Sequence, residues 1–502
     1  MLLIANGHLL EPGEERPVRG DVLIDGARIA AVGAGLGSLP DATRLDATGK
    51  LVLPGLINAH THAQHNLIRG IADSVTLELL LNAGPAMYSN RSAEEEYLSA
   101  LLGAVEMLKS GATAAYDLFM RLPSPSLEGI EAVVRAYSDA GIRAVVAPAV
   151  GDLLFHETVP GLMAALPDDL RKELERRRAA PGPKILTIMR DGFLKYRDAA
   201  GGRVRLAVCP TIPAHCSDEF LLGCKRLAEE FDVGVHTHLA ESKVQAISGL
   251  ARYGKSLTRH LGDVGLLGPH LTLAHAIWID ADDIALLADT GSSVVHNPAS
   301  NMKLGSGIAP VAEMLARGVS LSLGTDGSGS SDNQNMFEAL RFAALLSKVR
   351  SPDYPDWLTA DQVFRMATTG GANALGLGDR LGRVAPGYLA DLVLVNLDSM
   401  YLRPLNHVTH QLVYSETGAA VDTVLVGGRI VVRGGQILTV DEAALHKKAQ
   451  PAADRLREVN RAEWALEHRL APIVGQVCRS LARQPYPIQR YAAVDWLGTP
   501  VT

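Results

Sequence analysis

Two histidines one residue apart, His60 and His62, close the segment Leu-Pro-Gly-Leu-Ile-Asn-Ala-His-Thr-His. On a strand, residues i and i+2 point to the same side, so this spacing aims two imidazoles into one space. A second cluster, His236-Thr237-His238-Leu239-Ala240-Glu241, ends another apolar run. His238 offers a metal ligand there, and Glu241, three residues on, keeps its carboxylate free for proton transfer. His236 lies one step deeper and reads as a core or supporting histidine. His275 ends Leu-Ala-His, and Asp326 ends Ser-Leu-Gly-Thr-Asp before a glycine. Each is a weak signal alone, and an Asp before Gly is usually a turn residue. As an ordered set of neutral imidazoles with a carboxylate they suit Zn²⁺ or Fe²⁺. A position left open for water makes such a site catalytic.

These residues need elements to carry them. Short apolar runs at 51–58, 112–117, 143–148, 204–209, 233–238, 271–275, 292–296 and 320–326 each precede a helical pattern. Helices are predicted at 93–110, 219–231 and 334–347. Repeated strand–helix units predict a parallel sheet, and eight of them fit an α/β fold closed as a (β/α)8 barrel. The candidate residues then fall at the ends of strands one, five, six and eight, where barrels keep their active sites. The flanks read differently, as short strands with turns at Asp25-Gly26 and Gly427-Gly428. We expect residues 1–53 and 385–440 to form one small composite β-sandwich domain. Residues 54–384 form the barrel, with an insertion near 160–200. Residues 441–502 are a tail, helical around 449–471 and then proline-rich, suited to packing or to a dimer arm.

Composition narrows the class. Of the 502 residues, 48 are basic and 55 acidic, a net charge of −7 that disfavours nucleic acid and anionic membranes as partners. No apolar run reaches the roughly 18 residues of a membrane span, and the N-terminus lacks the basic start of a signal peptide. Four cysteines in a chain of this length are no disulfide scaffold. The expectation is a cytoplasmic enzyme with a small-molecule substrate, associating as a homo-oligomer.

The motifs resemble the amidohydrolase superfamily, in particular the branch of cytosine, guanine and adenosylhomocysteine deaminases and the triazine hydrolases. The resemblance runs from Pro54-Gly-Leu-Ile-Asn-Ala-His-Thr-His62 to Gly382-Arg-Val-Ala-Pro-Gly-Tyr-Leu-Ala-Asp-Leu-Val393. It implies that His60, His62, His238 and Asp326 hold one divalent metal, zinc or iron. It further implies that Glu241 shuttles protons, that His275 positions the attacking water or polarises the group attacked, and that 296–304 lines the pocket. Two-metal relatives bridge their ions with a lysine on strand four. The fourth run, Val204-Arg-Leu-Ala-Val-Cys209, has none, and Lys184 lies upstream of it, so one metal is expected.

The implied reaction is hydrolytic deamination of an aminated nitrogen heterocycle such as a purine, pterin, pyrimidine or triazine. Loss of an amide or chloride at the same centre is the alternative, and a non-catalytic scaffold ranks last. Substrate contacts are expected from Gln64, His65, Arg69, His215, Asn301 and residues 77–88. Cys216 reads as a small apolar filler, since chemistry at a metal needs no thiol.

Overall fold

The computed structural model describes residues 1–36, 42–197 and 199–492. Its elements are a mixture of strands and helices in which the middle of the chain alternates strand with helix.

Strands Leu56–Thr61, Ala112–Asp117, Arg143–Val146 and Val204–Leu206 pair in parallel in that order. Val235–Leu239, Leu271–His275, Ser293–His296 and Ser320–Leu323 form a second parallel set. A parallel bridge joins Val208 to Val235. At the opposite edges the Asp326 N–H donates to the His60 carbonyl over 2.9 Å. These strands are almost wholly buried, so their apolar runs are continuous rather than alternating. The intervening helices start on cues visible in sequence. Ser92 and Glu95 form a capping box for Ala93–Lys109, and Ser126 caps Leu127–Ala140, which ends on left-handed Gly141.

Strands from both ends of the chain share one nine-stranded sheet. Its central pairing sets Lys50–Pro54 antiparallel to Leu392–Asn396 and parallel to the first strand, Leu2–Leu9. Ile4, Val22, Ile24, Leu392, Leu394 and Leu425 belong to its own apolar core. The first predicted run, 51–58, is in fact divided. Lys50–Pro54 belongs to the nine-stranded sheet and Leu56–Thr61 to the parallel set, and the chain changes sheet at Gly55. A Cβ at Gly55 would stand 2.0 Å from Thr113 Oγ1, so only glycine allows the crossing. A buried ion pair, Arg143 to Asp391 at 2.9 and 3.0 Å, fastens the parallel strands to the sheet.

The insertion folds as helices Leu162–Ala165, Asp168–Glu175 and Gly182–Tyr196. The tail forms two helices, Glu442–Val459 and Arg461–Ala482, where one was expected. Buried Asn460 sits at the joint and donates to the Ser89 carbonyl. The expected proline-rich stretch after 471 begins inside the second helix with Pro472 and continues with Pro485 and Pro487, while residues 493–502 lie outside the described residues. Among the described residues no helix is long and apolar enough to cross a membrane.

Candidate active site

His60 lies within its strand, His62 one residue beyond it, and His238 next to last in Val235–Leu239. His275 ends its strand, and Asp326 follows Ser320–Leu323 by three residues. At two of these ends the backbone turns left-handed, with φ of +72° at His275 and +60° at Asp326. Such conformations in non-glycine residues cost about 1–3 kcal/mol each and persist only where the surroundings enforce them. Here they turn the side chains toward His60 and His62.

The ligand atoms of His60, His62 and His238 all lie within 4.8 Å of one another, as do those of His60, His275 and Asp326. Hydrogen bonds set the ring tautomers. His62 Nδ1 donates to the Leu118 carbonyl at 2.7 Å and His238 Nδ1 to the Thr211 carbonyl at 2.5 Å. His275 Nδ1 donates to Asn301 Oδ1 at 2.9 Å. With Nδ1 protonated, each neutral ring turns a lone pair at Nε2 inward. Yet His62 Nε2 stands 3.3 Å from His238 Nε2 and 3.1 Å from Asp326 Oδ1. Buried His60 has no hydrogen-bond partner at either ring nitrogen. Acceptors crowded this closely in the interior need a cation between them, and imidazoles with a carboxylate fit a divalent transition metal. The residues present therefore suit the metal that the motifs imply.

Burial lowers His238 and His275, as that arrangement requires, whereas at His62 the Asp326 carboxylate outweighs burial and raises the ring. Burial pushes His60 down to about 3, leaving it neutral and able to coordinate. Burial alone would raise Asp326, but His60 and His62 outweigh it and hold the carboxyl well below its usual range. Ser300 Oγ donates to Asp326 Oδ2 at 2.6 Å, and the Gly327 N–H to Oδ1 at 2.8 Å. Glu241 behaves oppositely. Burial first, then the charges of Asp326 and Glu78, push it well above the usual carboxyl range and favour its protonated form. Its Oε1 is 3.7 Å from His275 Nε2. The site thus sets side by side two carboxyl groups whose affinities for a proton are shifted in opposite directions, the usual division between base and acid.

A cavity of about 220 Å³ opens on this cluster, with His62, His238, Glu241 and Asp326 in its wall. Gln64, His65 and His215 also line it. Gln64 accepts the Met120 N–H at Oε1, so its amide group keeps both donors free. His65 Nε2 meets the Tyr88 hydroxyl at 2.6 Å. Asn301 is absent from the wall and stands behind His275, whose tautomer it fixes. Arg69 also lies off the wall, paired with Glu106. His236 is buried beneath the cluster, packed between Tyr116 and His60. Cys216 is fully buried, and burial drives its thiol well above the normal range, so it is inert. Lys184 is exposed on an inserted helix. Ser300 and Glu78 act on Asp326 and Glu241 from within 296–304 and 77–88, segments in which no spacing singles them out. The carbonyls of Leu118 and Thr211 leave no trace in residue type.

The model of the amidohydrolase family matches residues 51–431. The chain is 37% identical over 457 residues to 5'-deoxyadenosine deaminase of Methanothermobacter thermautotrophicus, covering 91% of this chain and 98% of that one. It is 38% identical over 432 residues to 5-methylthioadenosine/S-adenosylhomocysteine deaminase of Thermococcus kodakarensis, covering 86% and 94%. Among solved structures, an adenosine deaminase from Xanthomonas campestris with bound zinc superposes with a TM-score of 0.81 at 28% identity, over 91% of this chain and 98% of that one. Atrazine chlorohydrolase from Arthrobacter aurescens, also with zinc, gives 0.80 at 27%, over 90% and 100%. Matched along most of its length by the family model and by these relatives, the chain belongs to the amidohydrolase family.

Proposed function

We propose that this hydrolase removes the exocyclic amino group of an adenosine-type purine, releasing ammonia. The chain is a metal-dependent hydrolase that acts on C–N bonds and deaminates an aminated heterocycle. What supports the finer reading is the likeness along most of the chain to 5'-deoxyadenosine and 5-methylthioadenosine/S-adenosylhomocysteine deaminases, together with a buried Glu241 3.7 Å from His275 in the wall of the same cavity.

In this reading His60, His62, His238 and Asp326 hold a single zinc ion. When bound, such an ion lowers the pKa of its water from about 15.7 to about 7 and so supplies a nucleophile at neutral pH. Glu241 donates its proton to the ring nitrogen as charge builds there. Asp326 accepts one proton of the attacking water and relays it to the departing amine, which must be protonated to leave, and the second proton of that water returns to Glu241 as the product carbonyl forms. His275, its tautomer fixed by Asn301, donates no proton from Nε2 in its neutral form and orients the attacking oxygen. Gln64, His65 and His215 contact the heterocycle. Expulsion of chloride is the second reading, favoured by the likeness to the chlorohydrolase.

We also infer that the eight parallel strands close into a (β/α)8 barrel. The Val208–Val235 bridge and the Asp326-to-His60 hydrogen bond, at the two open edges, support closure. The nine-stranded sheet with its separate core supports a composite domain of residues 1–53 and 385–440, folded as a sandwich, beside a barrel of 54–384 and a tail of 441–502.

The test is ammonia release by purified, metal-assayed protein from adenosine-type, pterin, pyrimidine and triazine amines. We expect about one zinc per chain, turnover of the purines, and loss of turnover on chelation that zinc restores. Chloride release without ammonia, or full activity after complete metal removal, would defeat the proposal.

A further inference from the structure

The inserted helices and the final helix take no part in proton transfer, yet they come together beside the cavity. Leu170 and Leu174 of the insertion share one buried apolar cluster with Leu466 and Leu470 of Arg461–Ala482. Leu174, Arg177 and Ile185 of the same insertion reach the cavity wall, next to Phe155. Arg177 is the informative residue. Its Nε and Nη2 donate to Glu463 at 2.8 and 3.1 Å, and its Nη1 donates to the Glu173 side chain at 3.0 Å and carbonyl at 2.9 Å. A guanidinium carries five N–H bonds, so four are engaged, and the fork that would grip a substrate carboxylate already holds Glu463. The other wall cation, Arg121, faces the Glu96 carboxylate at 3.3 Å and donates to Ser126 at 2.6 Å. Burial pushes wall residues His156 and His215 down to about 4 each, so they are neutral. Much of the remaining wall is leucine, isoleucine, methionine and proline.

We propose that the insertion and the final helix form a cap that admits aminopurines bearing an uncharged, apolar substituent and rejects those whose substituent is charged. The physical reason is desolvation: a charge carried into this wall leaves water, and among the described residues each wall arginine already faces a glutamate. The proposal rests on the deamination reading above.

The experiment compares kcat/KM of the zinc-loaded enzyme on 5'-deoxyadenosine and 5'-methylthioadenosine with that on S-adenosylhomocysteine and adenosine 5'-monophosphate. All present the same ring and release the same ammonia. The neutral pair should exceed the charged pair by at least about 100-fold. The double variant Glu173→Gln/Glu463→Gln frees Arg177 and should raise the charged-to-neutral ratio by about tenfold. Because both substrates are read on one sample, a partly folded variant does not disturb the ratio. Comparable turnover of all four by the wild type overturns the cap proposal and leaves deamination standing. Efficient turnover of the charged pair that Arg121→Met abolishes overturns it too, and locates their anion at Arg121. An unchanged ratio in the double variant refutes the role of the cap residues. Absence of ammonia from every substrate refutes the deamination reading, and the cap proposal with it.

Discussion

Replacing Glu241 by glutamine should lower kcat by roughly 10²–10⁴-fold and leave the metal content unchanged, because the proposed general acid is lost and no proposed ligand is touched. Glutamine keeps the size and polarity of the side chain but has no acidic proton to give to a ring nitrogen. The surroundings of Glu241 make the prediction specific. Burial and the nearby charges of Asp326 and Glu78 favour its protonated form. As pH rises through that elevated pKa the donor is lost, so the wild-type rate should fall on the alkaline side. Glu241→Gln should lack that limb in its residual rate. Metal analysis beside a pH profile decides the matter. Near-wild-type turnover in a zinc-replete variant would remove Glu241 from the mechanism.

Asp326→Asn should be the more damaging change, since it strikes both binding and chemistry. The neutral amide loses the charge opposite His62 at 3.1 Å and the acceptor for the water proton. Zinc affinity should drop by more than the roughly 10–100-fold that follows loss of an outer hydrogen-bond partner. Ser300→Ala supplies that comparison within the same protein, because it removes only the 2.6 Å hydrogen bond to Asp326. Competition for zinc with a chromophoric chelator ranks the wild type, Ser300→Ala and Asp326→Asn in decreasing affinity. Equal affinities for all three would show that Asp326 is no ligand.

The chemistry was far more legible in the sequence than the pocket was. His60, His62, His238, His275, Glu241 and Asp326 announce themselves because strand ends bring short-range motifs into one place, and all of them meet around one point in the structure. What sets their tautomers did not show. The Leu118 and Thr211 carbonyls act through backbone atoms, which every residue carries. Asn301 was marked as a substrate contact on the strength of its segment, but its side chain points back to His275, a choice only tertiary packing makes. The division of the first strand at Gly55 was hidden because both halves are equally apolar. The insertion and the tail looked unrelated, being far apart in sequence. Their contact depends on leucine faces that any amphipathic helix presents.

The sheet that unites the two ends of the chain also sets a schedule for synthesis. Every candidate ligand has been synthesised once Asp326 is made, but Lys50–Pro54, the strand that leads into His60, then still lacks its partner Leu392–Asn396. Arg143 likewise waits for Asp391, 248 residues later, an interval on the order of tens of seconds at roughly 5–20 residues per second. During that interval the nascent chain exposes apolar strand edges to its neighbours. Completion of the sheet that leads into His60 is thus a late event in synthesis, timed by the C-terminal quarter of the chain rather than by the appearance of the histidines.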